Sequence, residues 1–225
     1  EPQGDLSQVR FEHSPLHFRH FRLGAIAIFF YVGTEVGIPS ELNAWISHLT
    51  DSTGNPIVGS AAIAGSLAGI YWTLMMVGRF LSTIISNKFT PRTQMIAACI
   101  IAIVMLLVAQ FTSDIPFHIM QTEIPLSCLF ILLCGLCTAV LWAAIFNLAT
   151  DGLGKYTAKA SGIFMTMVVG GGIMPIVQEN VLRPAIGYSA SYILVMAMFG
   201  YMLYYGIWGC KKVNFDIDTQ DGIGH

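Results

Sequence analysis

Charged side chains are scarce in this sequence, and their scarcity excludes an ordinary soluble domain. Of the 225 residues, only 11% are charged, whereas 55% are hydrophobic. A typical soluble domain carries about 25% charged residues, and a chain of this size needs a polar surface in water. A lipid bilayer around the chain is the simpler explanation.

The sequence also lacks the signatures of nucleic-acid binding, catalysis and metal binding. The net charge of −2 gives no basic field, so no nucleic-acid partner is expected. No HExxH, GxSxG or P-loop motif occurs, so we predict no enzyme, no catalytic residue, no metal site and no cofactor. Cys134 and Cys137 form a CxxC without a second pair, which argues against a redox or metal role. All five cysteines are expected to be free thiols packed as small hydrophobes: Cys99, Cys128, Cys134, Cys137 and Cys210.

Six apolar stretches are long enough to cross a bilayer, which takes about 20 residues. Backbone groups in lipid need internal partners, so these stretches are predicted to be helices of an all-α membrane protein. A polar arm (residues 1–22) precedes this region of residues 23–210, and a tail (residues 211–225) follows it. The predicted spans are Leu23–Ile46, Gly59–Ile85, Gln94–Phe111, Leu126–Leu148, Ala160–Leu182 and Ser189–Gly209.

Basic residues are distributed unevenly over the gaps between these spans. Ten fall on one side of the predicted membrane and only Arg183 falls on the other. The positive-inside rule therefore predicts that both termini are cytoplasmic, which requires an even number of spans. The ten residues are Arg10, Arg19, Arg22, Arg79, Lys88, Arg92, Lys155, Lys159, Lys211 and Lys212.

Glu35 lies deep in the first predicted span. It follows Leu23 by twelve residues, which places it about 18 Å into a hydrocarbon core of about 30 Å. A carboxylate at that depth usually faces a bundle interior or an aqueous cavity. We therefore expect it to bind a polar solute or carry a proton, or alternatively to be a structural carboxyl paired with another helix. Tyr31 lies one turn earlier on the same face and is a second candidate.

Other residues suggest further solute contacts or close helix packing. Trp72 is predicted near mid-depth, away from the interfacial belts where tryptophan is common, and Gln178 towards the outer end of the fifth span. Pro39 is expected to interrupt the first helix, with Glu41 and Asn43 beyond it either lining an outer cavity or lying at the interface. Small residues four apart predict close helix crossings, at Gly65–Gly69 and at Gly162, Thr166 and Gly170, the last of which begins a triple glycine.

Several motifs together resemble a known family. They are FFYVGTEVG (Phe29–Gly37), GRF (Gly78–Phe80), NKFTPR (Asn87–Arg92), IFNLATDGLGKYT (Ile145–Thr157) and SGIFMTMVVGGGIMP (Ser161–Pro175). The chain resembles the C-terminal half of a major facilitator superfamily sugar carrier of the fucose–galactose–glucose/proton symporter family. The likeness covers roughly residues 18 to 215.

The resemblance implies a twelve-helix fold in which this chain supplies the seventh to twelfth helices. It implies transport of a hexose or deoxyhexose across the bacterial inner membrane, with a proton as coupling ion and a separate N-terminal six-helix half as partner. Tyr31, Glu35, Trp142 and Asn147 would line the sugar cavity. The loop elements Gly78, Arg79, Lys88 and Arg92 would steady one conformation. The alternative is a six-helix scaffold or receptor-like subunit acting alone; the start at Glu1 rather than Met suggests a fragment.

Overall fold

The computed structural model describes residues 13–50, 57, 59–86, 88–119 and 122–213. Arg10 and the acidic residues of the predicted tail, Asp216, Asp218 and Asp221, lie outside this part. Within it, α-helices and one short β-hairpin follow in this order: α1 (Arg19–Ser47), α2 (Ser60–Ile85), α3 (Pro91–Phe111), β1 (Pro116–Ile119), β2 (Thr122–Pro125), α4 (Ser127–Thr138), α5 (Leu141–Thr150), α6 (Thr157–Thr166), α7 (Gly170–Val177), α8 (Arg183–Ser191) and α9 (Ile193–Tyr204).

The predicted all-α membrane class is confirmed. In the described part of the chain, five helical segments are long and apolar enough to cross a bilayer, and Ile193–Gly209 forms a shorter apolar helix. The fifth segment differs from the prediction, because it runs from Gly154 to Ser191 through a π-helical turn at Gln178–Leu182. Gly187 then kinks the segment with a φ of 85°, a left-handed conformation that glycine adopts without a steric cost. The helix thus continues a few residues past the predicted end at Leu182, as far as this kink.

Helix α1 is the central element and packs against α2, α5, α7 and α9. Glycines make its contact with α7 close: a Cβ on Gly170 would collide with the carbonyl oxygen of Phe29, and one on Gly33 would lie 2.7 Å from Met174. The triple glycine is thus a packing element, as small residues in membrane helices often are.

The other small-residue spacings do not form helix crossings among the described residues. A Cβ added to Gly65, Gly69 or Gly162 would meet no atom within 4 Å. These glycines lie on outward faces, because α2 contacts α4 through a different pair, Gly78 and Gly135. A Cβ on Gly78 would lie 2.6 Å from Ala139, and one on Gly135 would lie 2.9 Å from the Tyr71 carbonyl oxygen.

Proline at position 39 does not interrupt α1, contrary to the sequence expectation. The helix continues through Pro39 to Ser47. The proline is buried. The carbonyl oxygen that loses its intrahelical donor is that of Glu35, four residues earlier, while the Tyr192 hydroxyl donates to the carbonyl oxygen of Ile38 at 3.1 Å and ties this part of α1 to the following helices. Packing of this kind allows proline within membrane helices.

Contacts between distant residues define two ends of the bundle. At the first end, the side chain of His20 contacts the carbonyl oxygen of Asp151 (3.1 Å), and Lys212 pairs with the Asp151 carboxylate (2.7 Å). We call this the basic end, because the described basic residues of the arm, of the α2–α3 and α5–α6 turns and of the last turn are there. The opposite end carries the β-hairpin and Arg183 and is called the hairpin end.

The hairpin end holds a β-hairpin, an element that the sequence did not indicate. Strands β1 and β2 pair antiparallel, with Phe117 opposite Ile124. Side chains of His118 and Glu123 face each other on the exposed surface at 2.7 Å. This short ribbon links α3 to α4 and leaves the helical class of the chain unchanged.

Candidate solute-binding site

Glu35 and Arg79 form an ion pair between α1 and α2. The Arg79 Nη2 atom lies 3.3 Å from Glu35 Oε1. The Glu35 side chain is 15% exposed, whereas the Arg79 side chain is 55% exposed. The pair therefore lies at the edge of the bundle, with the carboxylate on the enclosed side and the guanidinium on the open side.

Aromatic rings surround the carboxylate side of this pair. Tyr31 is fully buried one turn before Glu35, and its ring meets that of Trp142 edge-on at 5.9 Å. Trp142 in turn meets Phe164 of α6 at 5.9 Å. The Tyr31 hydroxyl interacts electrostatically with Glu35 and Arg79, but it makes no hydrogen bond of acceptable geometry within the described part of the chain.

A cavity of 300 Å³ opens beside the guanidinium. Arg79 and Trp142 line it together with hydroxyl-bearing residues of α2 and small residues near the start of α5: Ser82, Thr83, Ser86, Ala139 and Ala143. Ligand pockets usually measure about 300–1,000 Å³ and combine an aromatic surface with a few polar groups. This cavity has both components, with the charged group at its wall.

Trp72 lies in a second cavity along the same seam between α1 and α2. This cavity measures 380 Å³ and includes Pro39, Ser40 and Asn43 of α1. Trp72 is seven residues before Arg79, which separates them by about 10 Å along the helix axis, and it is 45% exposed. Glu35 thus lies between two cavities, one towards each end of the bundle.

The structure does not bring Asn147 and Gln178 to this seam. Asn147 is exposed on α5, about 7.5 Å beyond Trp142 towards the basic end. Gln178 is 1% exposed, and its Nε2 donates to the Ser191 hydroxyl at 3.2 Å. The side chain is enclosed and bonded within the bundle, and it lines the small 40 Å³ cavity at the hairpin end rather than this seam; solute contact by Gln178 stays a prediction.

Glu41 and Arg183 form a second ion pair, at the hairpin end. Arg183 Nε donates to Glu41 Oε1 and Nη2 donates to Oε2, both at 2.9 Å. The Glu41 side chain is 3% exposed and that of Arg183 is 19% exposed. Ser191 also reaches Glu41 at 3.4 Å, and the guanidinium lies 5.0 Å from the Tyr188 ring centre. Glu41 is therefore not a simple interfacial residue but part of a buried clamp, and with Arg183 it lines a small cavity of 40 Å³ at this end.

The four predicted loop residues divide into separate roles. Gly78 provides the close α2–α4 contact described above. Lys88 is exposed in the α2–α3 turn. Arg92 donates from Nε to the Gly206 carbonyl oxygen (2.8 Å) and from Nη2 to that of Ile207 (2.7 Å). These bonds attach the start of α3 to the last helical turn of the chain.

Arg79 is placed differently from the expectation. It lies six residues before the end of α2, about 9 Å from that end, and contacts Glu35 rather than the loop. One signal in the sequence favoured this placement: ionisable residues inside spans usually pair with one another. The same signal applied to Glu41 and Arg183, since Arg183 was the only basic residue on its side.

Comparisons with known proteins agree with this architecture. The family profile of the Major Facilitator Superfamily matches residues 4–176. The "Glucose/galactose transporter" of Brucella abortus biovar 1 (strain 9-941) is 32% identical over 202 residues, which cover 89% of this chain and 45% of the relative. The "Putative glucose/galactose transporter" of Helicobacter pylori (strain ATCC 700392 / 26695) is 31% identical over 198 residues, covering 86% and 44%.

A solved structure shows the same fold. The crystal structure of FucP, a Major Facilitator Superfamily transporter in the outward conformation, aligns with a TM-score of 0.73 and 21% identity. The alignment covers 91% of this chain and 46% of FucP. The chain thus spans somewhat less than half the length of the proteins that it matches.

Proposed function

The chain belongs to the Major Facilitator Superfamily, and from this premise we propose that it is the C-terminal half of a sugar transporter. The substrate class is a hexose or deoxyhexose of the glucose, galactose and fucose type. The two relatives described above carry glucose/galactose transporter names and match almost the whole of this chain.

One observation of the structure carries the proposal: the Glu35–Arg79 pair at membrane depth, with Trp142 at the wall of an open cavity. A buried ionisable residue in a span is costly, and it usually marks a solute or ion pathway. A carboxylate, a guanidinium and an aromatic ring are also the groups that bind a polyhydroxylated ring with an apolar face.

The cavity at Arg79 is open on one side, and a ligand pocket normally encloses most of its ligand. We propose that an N-terminal six-helix half covers this seam, consistent with the chain's spanning about 45% of its relatives. Transport then proceeds by alternating access, as the two halves rock about the sugar and expose it to each side of the membrane in turn.

We further propose that the protein spans the bacterial inner membrane with its basic end in the cytoplasm. The uneven distribution of basic residues between the two ends supports this orientation. A proton is the proposed coupling ion, bound chiefly by acidic residues of the other half, so this chain alone would not be a complete symporter.

Uptake of labelled sugars tests the proposal directly. The full-length protein is produced in cells that lack their own hexose transporters, and uptake of glucose, galactose, fucose and mannose is measured with and without a protonophore. We expect uptake of at least one of these sugars, and its loss when the proton gradient is collapsed. No uptake of any of them would contradict sugar transport, and protonophore-resistant uptake would contradict proton coupling alone.

The competing function is a six-helix scaffold acting alone, and it predicts a gene without six additional membrane spans upstream. The coding sequence upstream of Glu1 distinguishes the two. Six further apolar spans in the same reading frame are expected for a transporter, whereas a complete gene that starts near Glu1 would favour the scaffold.

A further inference from the structure

The guanidinium of Arg79 is only partly used by the protein itself. Arg79 has five N–H donors. Its hydrogen bonds of acceptable geometry within the described chain are the 3.3 Å contact with Glu35 and a 3.6 Å contact with Met75 Sδ, and the Tyr31 hydroxyl also interacts with it. Both hydrogen bonds are made from Nη2. With 55% of the side chain exposed, the other donors are available to the cavity that Arg79 lines.

The Glu35–Arg79 contact is looser than is usual for an ion pair. Hydrogen bonds between charged nitrogen and oxygen typically measure about 2.7–2.9 Å, and arginine often binds a carboxylate with two parallel bonds. Here one nitrogen approaches one oxygen at 3.3 Å. The other carboxylate of α1 that pairs with an arginine, Glu41 with Arg183, has the two-bond geometry at 2.9 Å, so the Glu35 pair is the looser of the two.

A sugar hydroxyl is chemically suited to such a pair, because it accepts one hydrogen bond while it donates another. It can accept from the Arg79 N–H groups and donate to the Glu35 carboxylate. Trp142 lines the same cavity and offers an apolar face to the ring carbons. The buried Tyr31 hydroxyl, which has no hydrogen-bond partner in the described residues, lies beside both charged groups.

We propose that Arg79 is a sugar-binding, specificity-determining residue, and that one hydroxyl of the sugar bridges Arg79 and Glu35. This inference rests on the proposed transport of a hexose. It gives Arg79 a role in selecting the substrate in addition to balancing the charge of Glu35.

The test is a cycle of residue and ligand changes on the purified full-length protein. Binding of the transported hexose and of each of its single-deoxy analogues is measured by calorimetry, for the wild type and for Arg79→Gln and Arg79→Lys. For one hydroxyl, we expect the wild type to bind the deoxy analogue about tenfold more weakly, as for a hydrogen bond to a charged group. In Arg79→Gln this ratio should fall, because the charged donor to that hydroxyl is gone and only the Glu35 acceptor remains.

Lysine keeps the positive charge but lacks the planar set of N–H donors of arginine. Arg79→Lys should therefore retain part of the difference in affinity between the hexose and its deoxy analogue. The double variant Glu35→Gln/Arg79→Gln removes both charges, and it provides a folded protein if the single glutamine variant is unstable. In the double variant, which changes both proposed partners of the hydroxyl, the ratio should fall close to one.

Each result separates the inference from the function on which it rests. A wild type that binds none of the sugars contradicts the proposed transport and the inference with it. A wild type that binds a hexose, with deoxy ratios unchanged in the Arg79 variants, contradicts the inference only, as does wild-type affinity in Arg79→Gln. If none of the three variants folds, Arg79 is a structural residue and the inference is wrong.

Discussion

Two carboxylates of α1 pair with an arginine of another helix, and the two pairs lie in opposite environments. Glu41 and Arg183 are enclosed and joined by two bonds of 2.9 Å, with Ser191 and Tyr188 as further contacts. Glu35 and Arg79 share one contact of 3.3 Å beside an open cavity. The same two residue types therefore form a fixed clamp in one place and leave binding groups available in the other.

This difference follows from solvation. A buried charge without a partner is very costly, so a buried pair requires complete mutual satisfaction. An exposed pair gains little, because water and salt screen it. A transporter that must bind and release solute needs the second arrangement at its site and benefits from the first in its scaffold.

The largest effect on the free energy of unfolding is expected at the enclosed pair. Arg183→Ala leaves Glu41 charged and 3% exposed, so we expect the free energy of unfolding to fall by about 3–5 kcal/mol. Glu41→Ala should cost less, since Arg183 is 19% exposed and keeps Glu179 at 3.3 Å. Denaturant unfolding of the full-length protein in detergent measures both.

The double variant Glu41→Met/Arg183→Met is the control for that experiment. Apolar replacement of a whole buried pair is often neutral or stabilising, so the double variant should recover most of the stability. A double variant as unstable as Arg183→Ala would mean that the loss does not come from the unpaired charge.

The second prediction concerns the helix contact that supports both pairs. Gly170→Ala places a Cβ against the Phe29 carbonyl oxygen, where backbone atoms cannot easily move, and it should cost about 1–3 kcal/mol of stability. Gly172→Ala is the matched control, since its Cβ meets no atom within 4 Å. Equal stability of the two variants would show that the α1–α7 contact is not tight.

A smaller effect is expected from the ring beside the clamp. Tyr188→Leu removes the aromatic face 5.0 Å from the Arg183 guanidinium and the stacking on Trp45, and it should cost about 1–2 kcal/mol. Tyr188→Phe keeps the ring and should remain near the wild type. Thermal unfolding of the two variants side by side provides the measurement, and a large loss in Tyr188→Phe would point to the hydroxyl instead.

The smallest effect on stability is predicted at the open pair. Glu35→Gln should change the free energy of unfolding by at most about 1 kcal/mol, because Arg79 stays solvated. Sugar uptake, in contrast, should fall in Glu35→Gln and more strongly in Glu35→Ala. Uptake kinetics at wild-type level in Glu35→Ala would show that Glu35 does not bind the sugar. The open pair would then not differ from the enclosed pair in function.

The sequence predicted the helical class and most spans, because apolar length is a local property. It did not predict which residues meet across helices. Arg79 was assigned to the loop, since its distance from Glu35 depends on how α1 crosses α2. Arg183 was assigned to a gap between spans. Its pairing with Glu41 depends on the π-helical turn at Gln178–Leu182, which rotates the start of α8 by about 100° relative to a continuous helix and which the sequence did not reveal.

The glycine patterns show the same limit. Gly170 and Gly65 both occur in small-residue spacings, yet only Gly170 touches a neighbouring helix. Spacing identifies a face that permits close approach, whereas the partner of that face depends on the arrangement of the whole bundle.

The burial of the thiols has a practical consequence for spectroscopy. Cys99, Cys128, Cys134 and Cys137 are enclosed by protein, and only Cys210, next to the basic end, is partly accessible. A water-borne maleimide or nitroxide label therefore meets one native thiol in this chain. After Cys210→Ser, a cysteine introduced at position 72 would be the accessible reporter of this half, and distance measurements from it would record the opening and closing of the seam.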